Sequence, residues 1–147
     1  MRIFFLTIFS FFALQDKSHT NEIPNLSGIW VSTTKNLKVK VYYYNEKVFA
    51  KMIYFPCNHK VKLPMEKHFD TKNQNPKLRS RSYLDVDVLT ELMFEKNNKW
   101  DGGQIYNPVT GTTYSASLKL ISKNQIEVRG YMSFEFFGES IFFNRID

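Results

Sequence analysis

Three side chains in one stretch invite a metal reading: Cys57, His59 and His68 form a Cys-x-His…His set. A zinc site takes four protein ligands, or three and a water. The spacing does not suit a tetrahedral set, so the expectation is no metal and a buried thiol among polar loop residues. Cys57 is the chain's one cysteine, which rules out an intrachain disulfide. A free cysteine most often packs as a small buried hydrophobe. A Cys–His nucleophile would need a group to position the base, and the sequence offers none.

Carboxylates also come in pairs. Asp85 and Asp87 share a face if the segment is a strand, and Glu91 and Glu95 share one if it is a helix. A glycosidase needs its two carboxyls across a cleft, which a single strand face does not provide. With Leu84, Val86 and Val88 opposite, the acidic face reads as the solvated one. Gly102 and Gly103 could cradle a phosphate only with a helix following. They read instead as a bulge or a special φ. No catalytic residue is assigned, no cofactor is expected, and the chain is not expected to be an enzyme.

Charge is distributed unevenly. Residues 35–81 carry ten Lys and two Arg against Glu46, Glu66 and Asp70, whereas residues 82–147 carry six basic side chains against nine acidic ones. The first region suits anionic lipid headgroups, lipopolysaccharide or acidic glycans. A solvated face that keeps the protein soluble is the plainer reading.

The elements that position these groups begin after a separate opening. Met1-Arg2 is positive, residues 3–14 are apolar except Thr7 and Ser10, and polar sequence follows from Gln15. That run is shorter than the ~20 residues that span a bilayer and has the form of a signal peptide. Residues 1–20 are therefore expected to be a signal peptide and 21–147 the mature domain, exported to the periplasm or secreted. Nucleic acid is not an expected partner in that compartment.

The mature segment has room for one domain. Fourteen Phe and eight Tyr suit pleated, half-buried surfaces. Alternation supports strands at 26–33, 37–44, 48–55, 83–95, 100–106, 112–121, 125–132 and 140–146. In the second, Leu37, Val39, Val41 and Tyr43 take one face; in the sixth, Tyr114, Ala116, Leu118 and Leu120 do. The later half of 83–95 could equally form a helical turn or two. Residues 56–82 form a long, basic, proline-containing connection, a kind that is often functional or disordered. The class is all-β: about eight short antiparallel strands in a barrel or sandwich.

Several fixed positions then line up: Gly28-Ile29-Trp30; Asp70, Asn73, Pro76, Leu78, Arg79, Ser80 and Arg81; Trp100-x-Gly102-Gly103-x-Ile105-Tyr106-x-Pro108-x-x-Gly111-x-x-Tyr114-Ser115; Val128-Arg129-Gly130-Tyr131; Gly138; and Arg145. In that order and spacing the chain resembles the uncharacterised domain family DUF2147 across almost its whole mature length. Departures include Ser82 where the family usually has Pro, Asp85 and Ser133 where it has Gly, Glu139 where it has Arg, and Phe143 where it has Trp.

The resemblance implies an exported bacterial protein with a single lipocalin-like antiparallel β-barrel, and it supplies no activity. It also implies that Trp30 lies across the closed end with Arg145 on its face, a contact worth ~1–2 kcal/mol when partly desolvated. The expected function is binding of a small apolar or amphipathic ligand in the barrel mouth. Arg79 and Arg81 would be anion partners at the rim, with Tyr106 and Tyr114 beside them. The alternative is an envelope interaction protein with a packed interior, docking its basic loop on an anionic surface. An eight-strand interior holds either side chains or one small ligand, so interior volume separates the two. Oligomeric state is left open.

Overall fold

The structure, a computed structural model, describes residues 22–56, 64–135 and 138–146. Residues 1–20, expected from the sequence to be a signal peptide, lie outside the described residues, as do Cys57 and His59. Eight strands follow in chain order: β1 (Gly28–Ser32), β2 (Lys38–Tyr44), β3 (Lys47–Tyr54), β4 (Asp87–Lys96), β5 (Lys99–Asn107), β6 (Thr112–Ser122), β7 (Gln125–Tyr131) and β8 (Glu139–Arg145). Each pairs antiparallel with its chain neighbour, and β8 returns to β1 through Trp30↔Arg145, Val31↔Asn144 and Ser32↔Phe143. The result is a closed barrel, which leaves no sheet edge exposed.

Alternation places the core inside. Val39 and Val41 on β2, Val48, Ala50 and Met52 on β3, and Ile126 and Val128 on β7 are buried, with exposed or half-buried neighbours between them. Two strands break the alternation through bulges. On β4, Leu89 pairs with Ala50 and Leu92 with Val48, so three β4 steps oppose two on β3. Glu91 absorbs the extra residue at φ 60°. Leu89 and Leu92 thereby both face the core at a spacing of three, which accounts for the helical look of the segment in the sequence. The 83–95 expectation also needs correcting at its start. Tyr83–Asp85 is a 3₁₀ turn, capped by the Ser82 side chain accepting from the Leu84 N–H, and the strand begins at Asp87. On β5, Gly102 takes φ 73° in a second bulge, between Trp100 and Gly103. A Cβ on Gly103 would meet Leu92 Cγ and the Thr90 carbonyl, each at 2.6 Å.

The two ends are built differently. At one end β2–β3 and β4–β5 turn on Asn45-Glu46 and Asn97-Asn98, all four with φ between 48° and 63°. Paired left-handed residues make the tight hairpin turn whose twist matches the strands, and Asn tolerates it. At the other end lie the long connections 33–37, 55–86, 108–111 and 132–138.

Candidate ligand-binding site

At the tight-turn end the barrel is filled. Trp30, Trp100, Leu26, Val48, Leu92 and Leu118 are essentially inaccessible to water. The Trp30 indole N–H donates to the Leu26 carbonyl at 2.9 Å, drawing the segment before β1 across the opening. Arg145 Cζ stands 4.3 Å from the centre of the Trp30 ring. Its Nη1 and Nη2 donate to the carbonyls of Ser27 (2.6 Å) and Asn25 (2.9 Å). Those bonds hold the guanidinium against the indole. Trp100 packs edge-on against Phe94 at 5.1 Å, and its N–H meets no acceptor among the described residues.

At the long-loop end the barrel is hollow. A cavity of about 330 Å³ occupies this half, toward the small end of the range for ligand pockets. Val41, Ala50, Ile126 and Phe143 form its deep wall, and Val39, Met52, Val128 and Ile141 the wall above. The rim carries Tyr106 and Asn107 from the end of β5 and Pro108 and Val109 from the β5–β6 connection. Apart from the Tyr106 hydroxyl and the Asn107 amide, its side chains are hydrocarbon or thioether. Such a wall can hold an apolar molecule by excluding water, at roughly 25 cal/mol per Å² buried. A groove continues from it past Ile105, Val128 and Ile141 to Tyr114, Met132, Phe134 and Glu139.

The long connection is strapped to the rim by one buried carboxylate. Asp70 is fully buried, accepting from Tyr106 Oη at 2.5 Å, Asn73 Nδ2 at 2.8 Å and Arg81 Nε at 2.9 Å, with Arg81 Nη2 also 2.9 Å away. A buried carboxylate is tolerated only with such partners. Burial, followed by the bond to Asp70, pushes the Tyr106 hydroxyl up to about 12. Nearby, a Cβ on Gly111 (φ 74°) would fall 2.0 Å from the Lys72 carbonyl, so only glycine lets the connection lie this close to the turn. Tyr83 Oη also reaches the Pro108 carbonyl at 3.4 Å.

These placements sort the residues singled out from the sequence. Tyr106 lines the cavity with its ring while its hydroxyl serves Asp70. Tyr114 lines the groove. Neither Arg79 nor Arg81 is among the cavity-lining residues. Arg81 has its charge offset by Asp70 and lies 5.8 Å over the Tyr106 ring, and Arg79 is exposed with Nε donating to the Asn73 carbonyl at 2.8 Å. His68 stacks on Tyr83 at 6.0 Å. Among the described residues, no group of three or more His, Cys, Asp and Glu is placed to share a metal ion. Asp85 and Asp87 do not share a strand face. Asp87 accepts from Tyr42 Oη at 2.7 Å on the outer surface, while Asp85 sits in the 3₁₀ turn.

Sequence reasoning missed Asp70 and Asn73 as a contact set, though both stand in the motif that carries the family resemblance. An aspartate amid a strongly basic stretch was the available signal.

A family model described as "Uncharacterized protein conserved in bacteria (DUF2147)" matches residues 28–145. The chain belongs to DUF2147. Among solved structures, this DUF2147 barrel is similar to one titled "Protein HP1028 from the human pathogen Helicobacter pylori belongs to the lipocalin family". The TM-score is 0.70 at 26% identity, over 84% of each chain. Curated proteins yielded no match. The DUF2147 chain is thus an all-β protein with a lipocalin-like eight-strand barrel, as its strand pattern and resemblance implied.

Proposed function

We propose that this DUF2147 chain is an exported binding protein that holds a small apolar or amphipathic molecule in the mouth of its barrel. One observation carries the reading: the interior is packed at one end and hollow at the other, and the hollow half is walled almost wholly by hydrocarbon. A docking protein with no internal ligand has no use for that void, which costs packing energy when empty. A hydrocarbon wall suits holding a molecule rather than transforming it.

Native mass spectrometry and lipid extraction of the purified protein test the proposal, together with displacement of an apolar fluorescent probe. The expected outcome is a bound small molecule, or saturable probe binding near one equivalent. Val128→Trp, which places a large ring in the upper wall, should abolish that binding while leaving the β-sheet circular dichroism in place. An empty protein that takes up no probe would end the proposal.

A further inference from the structure

We infer that the groove leading from the cavity receives the ammonium head of a cationic amphiphile whose tail enters the barrel; this rests on the binding reading above. None of the residues lining the cavity carries a charge. The groove adds one charged side chain, Glu139. Its position follows from the sheet: Glu139 opposes Gly130 across β7–β8, and it precedes Ile141 and Phe143, which line the cavity, at the strand period of two. Glu139 is exposed and makes no ion pair or side-chain hydrogen bond with any described residue.

The surroundings favour a cation. Tyr114, Tyr131 and Phe134 line the same groove as Glu139. Aromatic faces carry negative charge density and attract ammonium groups, and rings grouped around a carboxylate strengthen the effect. At Gly130 a Cβ would stand 3.3 Å from Ile105 Cδ1, so the glycine lets Ile105 pack down on β7 beside the groove. An anionic head would meet Glu139 with no compensating cation. None of the described residues lining the groove is Lys or Arg, and Arg81, a motif cation beside the mouth, is paired with Asp70. The protein's net charge of +6 pulls anions from a distance. Salt mutes that field beyond a Debye length of ~8 Å while leaving contact at the groove.

Decyltrimethylammonium, decanol and decanoate, titrated calorimetrically below their micellar concentrations at near-physiological salt, distinguish the possibilities. The cation should bind about three- to tenfold more tightly than the carboxylate, the scale of a partly exposed ion pair, with decanol between them. Glu139→Gln should level the two ions and Glu139→Arg should reverse their order. Decanol affinity should hold in both variants, which reports an intact barrel. Decanoate binding as tightly as the cation, or an unchanged order in Glu139→Arg, overturns the head-group inference and leaves the cavity reading standing. Failure of all three probes removes both.

Discussion

The two ends of this barrel carry the same strands and opposite tasks. At the tight-turn end, two-residue hairpins bring the strands together and Trp30, Trp100 and Leu26 fill the space between them. Arg145 clamps that end through one ring and two carbonyls. At the other end, connections of up to 32 residues replace the turns, and the interior is left open. A packed interior and a hollow one compete for the same volume, and the chain divides its length between them. Substitutions at the sealed end should therefore act on the whole fold, and those at the open end on the mouth.

The sharpest way to break that division is Trp30→Ala. Removing a fully buried indole should cost about 3–5 kcal/mol and strand the Arg145 guanidinium, lowering the urea midpoint of the whole transition. A loss below about 1 kcal/mol would mean that the sealed end is not the anchor.

Next in size is Asp70→Asn, which removes the charge that Arg81 faces and replaces one of the two acceptor oxygens, Oδ1 serving Tyr106 and Oδ2 serving Asn73, with an amide donor. Arg81 is partly exposed, so a loss of about 2 kcal/mol is expected, below that for a wholly buried pair. Its distinguishing sign is local: limited proteolysis between residues 64 and 82 should speed up more than global unfolding does. Uniform destabilisation would argue against a separate mouth unit.

The smallest effect is spectroscopic. Burial and neighbouring carboxylates push Tyr106 and Tyr42 up to about 12, above the ordinary tyrosine value near 10. The neutral phenol is the form that the fold favours. The stability it contributes is therefore present below pH ~10 and lost as pH rises through about 12. Tyrosinate absorbance should show Tyr106 and Tyr42 among the late-titrating tyrosines, which also include Tyr43 and Tyr131, and Asp70→Asn should bring Tyr106, but not Tyr42, part of the way toward 10.

The same division explains what could be read from the chain. Alternation is a local property, and it marked β2 and β6 correctly down to the inward Val39, Val41, Ala116 and Leu118. Bulges defeat it. Where Glu91 inserts an extra residue, the spacing of Leu89 and Leu92 imitates a helix, and the strand boundary at Asp87 went unseen. The mouth was harder still. Arg81 stood out as an anion partner because its own partner is set by the fold: Asp70 lies 11 positions before Arg81 and 36 before Tyr106. A sequence shows that a charge exists but not what cancels it. Glu139 was visible only as a departure from the family pattern, and its meaning depends on the uncharged wall beside it.

The seam between β1 and β8 has a consequence for how the chain reaches this state. Arg145 bonds to Ser27 across 118 positions, whereas the hairpin at Asn97-Asn98 joins neighbours. Closing a long stretch of chain forfeits more freedom than closing a short one, and contacts between distant positions slow folding. The hairpins can therefore zip early and independently. The circle becomes continuous only when the first and last strands meet, and until then each offers an unsatisfied backbone to any neighbouring molecule.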